Sequence, residues 1–218
     1  MIRINKKLLE EITDVNNERN IYVHPLALAR DIFWQRLEYA FKYIEKYTNI
    51  NDNILDFGGG SGVFARTLST YFNEVSIIDL DTQDAVSIKK YFELDNLNII
   101  TEDINTFTSI EKFNVIVATD VLEHFKDLGQ PLNFFNKFLL KDGFLLVTLP
   151  TENKLYEFGR LIINKSKPSD HYHTSEEVLD FFINNRFKLI EKKFLPRYIV
   201  PIPLFEVAIL QFKGNSYE

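Results

Sequence analysis

The chain has 218 residues, 45% of them hydrophobic, with 20 Phe and 10 Tyr, which supports a full core and argues against a disordered protein. The absence of cysteine excludes disulfides and thiolate sites, and a net charge of −6 without a Lys/Arg-dense stretch favours a small substrate over nucleic acid. Because the sequence has no run of about 18 apolar residues and starts with charged ones, we predict a cytoplasmic protein with neither a signal peptide nor a membrane span.

One long helix is predicted before the first strand, over residues 26–48. Its apolar side chains recur at helical spacing along one stripe, which is formed by Leu28, Ile32, Leu37, Phe41 and Ile44. We expect this helix to pack as a layer on the sheet, and the alternative is a lid over a substrate pocket. The chain is therefore divided into a helical extension or lid, residues 1–49, and a main domain, residues 50–218.

Short β-rich runs then alternate with helical patterns. The predicted strands are Ile54–Phe57, Glu74–Asp79, Leu97–Thr101, Phe113–Thr119, Gly143–Leu149, Phe187–Leu195 and Phe205–Phe212. Alternating strands and helices predict a parallel sheet with helices on both faces. The last two runs are joined by residues 196–203, which leave no room for a crossover helix, so we expect them to pair antiparallel.

A glycine-rich loop follows the first predicted strand, with four glycines among residues 58–62. Glycine is required where a backbone approaches a ligand closely or takes a positive φ. Val63 stands where the dinucleotide fingerprint G-x-G-x-x-G needs its third glycine, which disfavours a dinucleotide. The spacing Asp56-x-Gly58-x-Gly60-x-Gly62 resembles instead the cofactor loop of the class I S-adenosylmethionine-dependent methyltransferases.

Further segments extend this resemblance over about residues 50–195. Asp79 ends the second predicted strand, and Asp103 follows the third, where the family holds the ribose and the adenine of its cofactor. The segment Asp120-Val121-Leu122-Glu123-His124 after the fourth strand is similar to one in small-molecule members of the superfamily. The turn at 141–143 and the segment at 171–177 also follow the family pattern.

The resemblance implies an α/β, Rossmann-like fold with a seven-stranded, mostly parallel sheet, helices on both faces and an N-terminal helical extension. The strand order would be 3-2-1-4-5-7-6, with strand seven antiparallel, and residues 50–218 would bind S-adenosyl-L-methionine. The residues that would hold this cofactor are Asp56, Phe57, Gly58, Gly59, Gly60, Gly62, Asp79, Leu80, Asp103, Ile104, Thr119 and Asp120.

Three histidines are the candidate general bases: His124, His171 and His173. His124 follows Asp120 by four residues, so on a helical turn the carboxylate would orient the imidazole. The alternative is that His124 flanks a helix and that His171 and His173 lie exposed in a loop. Asp120, Glu123 and His124 could together hold a divalent metal, although we predict that no metal is used.

The methyl acceptor is predicted to be an oxygen or carbon of a small molecule. No Asn/Asp-Pro-Pro-Tyr/Phe segment follows the fourth strand, which argues against methylation of adenine or glutamine amino groups. Aromatic residues crowd the segments expected near the pocket, namely Phe33, Trp34, Tyr156, Phe158, Tyr172 and Tyr198. The alternatives are a non-catalytic S-adenosylmethionine-binding module and an NAD-dependent oxidoreductase, which Val63 and the lack of a Tyr-x-x-x-Lys pair disfavour.

Overall fold

The computed structural model describes residues 1–13, 21–151, 171–196 and 203–214. Helices and strands alternate along the chain, as the sequence pattern predicts. The helices are α1 (Lys6–Ile12), α2 (Ala27–Tyr47), α3 (Ala65–Tyr71), α4 (Gln83–Phe92), α5 (Gly129–Phe138) and α6 (Ser175–Asn184). The strands are β1 (Ile54–Phe57), β2 (Val75–Asp79), β3 (Leu97–Thr101), β4 (Phe113–Thr119), β5 (Leu139–Pro150), β6 (Phe187–Leu195) and β7 (Phe205–Phe212). Short 3₁₀ turns lie at Ile21–Val23 and Leu122–His124.

The seven strands form one sheet in the order β3-β2-β1-β4-β5-β7-β6. Strands β1 to β5 pair parallel, and β7 pairs antiparallel with both β5 and β6. The predicted fold, strand order and terminal hairpin are therefore confirmed. The order reverses between β1 and β4, and in such sheets ligands bind beyond the carboxyl ends of the strands at that point.

Apolar layers cover both faces of the sheet, as the alternation of strands and helices predicts. In β4, Val115 and Val117 point into the layer shared with α2, α3 and α4, whereas Ile116 and Ala118 point into the layer shared with α5 and α6. All four side chains are fully buried. The carboxyl end of β4 is thus held from both sides by close packing.

The predicted long helix is confirmed as α2, and it packs against the sheet in the same core as β1, β2 and β4. Leu28 was wrongly assigned to the buried stripe, because it lies in the first turn of α2 and is 50% exposed at an open surface groove. The domain boundary after residue 49 and a lid-like role for residues 1–49 remain predictions.

Within the described part of the chain, no helix combines the length and the apolar character needed to cross a bilayer.

Candidate active site

The glycine loop connects β1 to α3 at the carboxyl edge of the sheet. Gly58 adopts a φ of +69°, and its N–H donates to the Ile78 carbonyl at 2.8 Å. A Cβ at Gly58 would overlap the side chain of Val121, lying 2.9 Å from its Cβ. Only glycine allows this close approach, so the loop rests directly on the chain that leaves β4.

Gly60 faces a different environment. Its φ is +42°, and its N–H donates to Asp79 Oδ2 at 2.9 Å. Among the described residues, a Cβ built at Gly60 would meet only Asp79 Oδ2, at 3.5 Å, and the Gly58 carbonyl, at 3.9 Å. The free space above the loop therefore lies at Gly60, beside a carboxylate.

Asp79 ends β2, and Leu80 follows it. The second oxygen of Asp79, Oδ1, accepts a hydrogen bond from the Asp81 N–H at 3.0 Å. Leu80 is an apolar side chain that is 72% exposed. A fixed carboxylate next to an exposed apolar side chain suits a ribose joined to a flat base.

Asp56, the acidic residue of the loop motif, is a buried carboxylate. Its residue is 1% exposed, and neither oxygen has a hydrogen-bond partner among the described residues. Burial and the nearby negative charge of Asp79 raise the pKa of Asp56 to about 7, against the opposing effect of Arg36. Burying such a group without a partner is costly, so it fits a ligand that brings a cation or a hydrogen-bond donor.

Asp103 and Ile104 lie in the turn that follows β3. Asp103 is exposed, and its Oδ1 accepts hydrogen bonds from the backbone N–H and the side-chain amide of Asn105, both at 2.8 Å. Ile104 packs against the core layer of α5 and α6. The structure places both residues at the same edge of the sheet as the glycine loop, since β3 runs parallel to β2 and β1.

Thr119 ends β4, and Asp120 follows it. Asp120 has a left-handed φ of +51°, its Oδ1 accepts from Thr148 Oγ1 at 2.8 Å, and its Oδ2 forms an ion pair with Arg36. The expectation that Asp120 orients His124 is therefore wrong. Both Asp120 oxygens are engaged by other residues, and the 3₁₀ turn that contains His124 begins only at Leu122.

Arg36, on α2, is a site residue that the sequence reasoning missed. It is 5% exposed, it donates to the Tyr22 hydroxyl at 2.9 Å, and its guanidinium lies over the rings of Phe33 and Phe205. The available signal was its position four residues after Ile32, because an arginine on an apolar helix face needs a buried partner.

Two of the three predicted histidines are brought together. The rings of His124 and His171 meet edge to face with centroids 4.6 Å apart, and the Tyr172 N–H donates to the Glu123 carbonyl at 2.9 Å. His173 lies outside this contact. The hydrogen bonds from Thr174 lower the pKa of the Glu177 carboxyl group, and the charge of His173 lowers it further. A capping box between Thr174 and Glu177 starts α6 and fixes the end of this loop.

The residues that could hold a metal differ from the expected set. Potential ligand atoms of Glu123, His124 and His171 lie within 4.8 Å of one another, so His171 takes the place in which Asp120 was expected. Imidazoles with a carboxylate suit zinc and other transition metals. That the protein uses no metal remains a prediction.

The aromatic residues expected near the pocket divide into three groups. Phe33 lies on the Arg36 guanidinium, and Trp34 is buried with its ring 4.6 Å from that of Tyr22. Tyr172 is 48% exposed beside His171. Tyr156, Phe158 and Tyr198 lie outside the described residues.

Comparisons with known proteins find methyltransferases. The ubiquinone biosynthesis O-methyltransferase of Glaesserella parasuis serovar 5 is 27% identical over an alignment of 131 residues, and the match covers 56% of this chain and 55% of that protein. The chain spans about half the length of several curated relatives it matches.

Two solved structures resemble the whole fold. The N-methyltransferase NodS from Bradyrhizobium japonicum WM9, in complex with S-adenosyl-L-homocysteine, matches with a TM-score of 0.70 at 16% identity, covering 95% of this chain and 97% of that one. The magnesium protoporphyrin IX methyltransferase from Synechocystis PCC 6803, also with bound S-adenosylhomocysteine, gives 0.69 at 12% identity, covering 95% and 100%. At such identities the likeness concerns the fold alone.

A family model described as a methyltransferase domain matches residues 27–183, which includes α2, the glycine loop and the histidine pair. Since this match covers well over half of the chain, the protein belongs to the methyltransferase-domain family, as its resemblance to the class I S-adenosylmethionine-dependent methyltransferases predicted.

Proposed function

We propose that this protein transfers a methyl group from S-adenosylmethionine to an oxygen or carbon atom of a small molecule. The observation that carries the proposal is that the buried carboxylate of Asp56, which has no hydrogen-bond partner among the described residues, belongs to the same loop as the open space at Gly60, beside Asp79. S-Adenosylmethionine supplies a methyl group on a sulfonium, which needs no further activation. The protein's task is then to hold the reacting groups in position, which can contribute roughly 7–11 kcal/mol.

The cofactor would be held by residues on the β1–β3 side of the edge. Asp79 would accept hydrogen bonds from ribose hydroxyls, and Leu80 and Ile104 would contact the base next to Asp103. Asp56 would receive the positively charged amino end, which offers the hydrogen bonds that this carboxylate lacks. The N–H groups of the glycine loop and Thr119 would contact the rest of the methionine part. Each assignment matches a carboxylate to a hydrogen-bond donor or cation, an apolar side chain to the flat base, or a backbone donor to an acceptor.

The acceptor would bind on the β4 side, near His124 and His171. An imidazole there can take a proton from a hydroxyl or an acidic carbon as that atom becomes a nucleophile, and general bases typically contribute about 10²–10⁴-fold. His173, which lies outside the histidine contact, would line the rim. The O-methyltransferase activity named for the curated relative supports an oxygen acceptor.

The test begins with the cofactor. Isothermal titration should show binding of S-adenosylmethionine and S-adenosylhomocysteine but not of NAD, and binding of NAD alone would replace the proposal with an oxidoreductase. Incubation with labelled S-adenosylmethionine and a library of phenols, quinols and carbon acids should then yield a methylated product. Cofactor binding without methylation of any acceptor would support a non-catalytic binding module instead. The predicted cytoplasmic location would be checked by cell fractionation.

A further inference from the structure

A buried cation on α2 reaches the edge of the sheet where the proposed site lies. The Arg36 guanidinium donates to the Tyr22 hydroxyl, pairs with Asp120 and is covered by the rings of Phe33 and Phe205. Tyr22 and Arg36 are both buried, so the hydrogen bond between them is shielded from solvent. The Arg36 side chain is 6% exposed and the Asp120 side chain 19%, and an ion pair shielded to this extent is screened less by solvent and salt than an exposed pair.

The partner of Arg36 is the residue at which the chain turns out of β4. Asp120 has a left-handed φ, and its N–H donates to the Thr148 carbonyl at 2.9 Å while Thr148 Oγ1 donates to its Oδ1. Arg36 holds the other oxygen. Both carboxylate oxygens are therefore fixed, one by a residue of the sheet and one by a residue of α2. These contacts also hold the unusual backbone conformation of Asp120.

The turn at Asp120 in turn determines where the next side chain goes. Val121 packs against the Cα of Gly58, so closely that a Cβ there would overlap it. Leu122, directly after it, is fully buried. Contacts thus run from Arg36 through Asp120 and Val121 to the glycine loop, and each of them is direct.

We propose that Arg36 is a positioning residue: by fixing Asp120 it holds residues 120–124 and, through Val121, keeps the glycine loop in its binding shape. Helix α2 is then an integral part of the site. The inference rests on the proposed function only for its choice of ligand, because the contacts themselves exist without one.

The first test therefore uses the protein without cofactor. In Arg36→Met, hydrogen exchange of the Gly58, Gly62, Asp120 and His124 amides should become at least tenfold faster, whereas the amides shared by β5 and β7 should stay protected. Arg30→Met is the matched control, since Arg30 lies on the same helix and donates to the His24 and Pro25 carbonyls. It should leave all of these amides unchanged.

Milder variants keep the test decisive if Arg36→Met does not fold. Tyr22→Phe removes only the hydroxyl that Arg36 contacts and should accelerate the same amides by a smaller factor. Arg36→Lys retains one charge and should restore part of the protection. Unchanged exchange at Gly58 and Asp120 in folded Arg36→Met, or in both milder variants, would overturn the proposal.

The second test asks whether Arg36 acts through Asp120. Arg36→Met and Asp120→Asn should each weaken S-adenosylhomocysteine binding at least fivefold, and the double variant should bind no more weakly than the weaker of the two. A double variant whose loss equals the product of the single losses would show that Arg36 acts independently of Asp120, against the proposal. If the wild type fails to bind, the proposed function fails, while the exchange measurements still judge the role of Arg36.

Discussion

The two sides of the proposed site are built in different ways. On the β1–β3 side, one short stretch of chain supplies Asp56 and the glycine loop, and the Gly60 N–H of that loop donates a hydrogen bond to Asp79. On the β4 side, contacts between side chains bring together α2, the turn at 120–124 and the loop before α6. The first side is thus built mainly from the backbone of one stretch of chain, and the second from contacts between side chains that are far apart in the sequence.

The largest effect is expected at the loop itself. Gly60→Val should abolish detectable binding of S-adenosylmethionine in isothermal titration, because its side chain would fill the free space beside Asp79. Gly214→Val is the control, since Gly214 also has a positive φ, of +80°, but a Cβ there would come nearest to the flexible Lys141 side chain. Normal binding by a folded Gly60→Val protein would remove the loop from the cofactor site.

Loss of a histidine should test the other side without disturbing the first. Once an acceptor is known, His124→Ala should lower kcat and kcat/KM together by at least tenfold, because a base acts in the transition state. Affinity for S-adenosylmethionine should stay within about threefold.

His24→Ala serves as the control for this variant, because His24 Nδ1 accepts the Leu26 N–H at the start of α2. A His171→Ala/His173→Ala variant should mainly raise KM. If neither variant slows turnover tenfold, no histidine acts as the base and the reaction depends on positioning alone.

Asp79→Ala should weaken S-adenosylhomocysteine binding at least tenfold, since hydrogen bonds to charged groups contribute roughly 1.5–3 kcal/mol each. Asp81→Ala, which removes the neighbouring exposed carboxylate, should change affinity less than threefold. Equal losses in the two variants would assign the ribose contact to the whole turn rather than to Asp79.

The smallest effect concerns the stability of the cofactor side. With a pKa of about 7 in the fold and about 4 when unfolded, Asp56 binds its proton more tightly in the native state. The wild type therefore loses stability as the pH rises between these values. Asp56→Asn removes that loss, so its unfolding midpoint should exceed that of the wild type by several degrees more at pH 8 than at pH 5.

Thermal unfolding at both pH values measures this difference, with Asp180→Asn on the exposed side of α6 as the control for net charge. The same Asp56→Asn variant should bind S-adenosylmethionine more weakly. An equal shift at pH 5 and pH 8 would mean that Asp56 is ionised throughout, and its burial would then be compensated by a partner.

The sequence alone was sufficient for the parts that depend on neighbours in the chain. The alternation of apolar runs and helical patterns determined the strands, and the spacing from Asp56 to Gly62 determined the loop, because a tight turn against a ligand admits few residues besides glycine. The distance from that loop to Asp79 follows from the length of one helix and one strand. The strand order came from the family resemblance and is confirmed.

Only the tertiary structure decided what meets across the sheet. Arg36 and Asp120 are separated by 84 positions, and their pairing depends on how α2 crosses the sheet, which helical periodicity does not specify. The same holds for His124 and His171, whose contact replaced the expected one between Asp120 and His124. Asp120 is left-handed, and the helical turn that contains His124 begins only after it, at Leu122. Local spacing predicts contacts only while the backbone stays regular. At Asp120, on the edge of the sheet where the chemistry is proposed, the backbone is not regular.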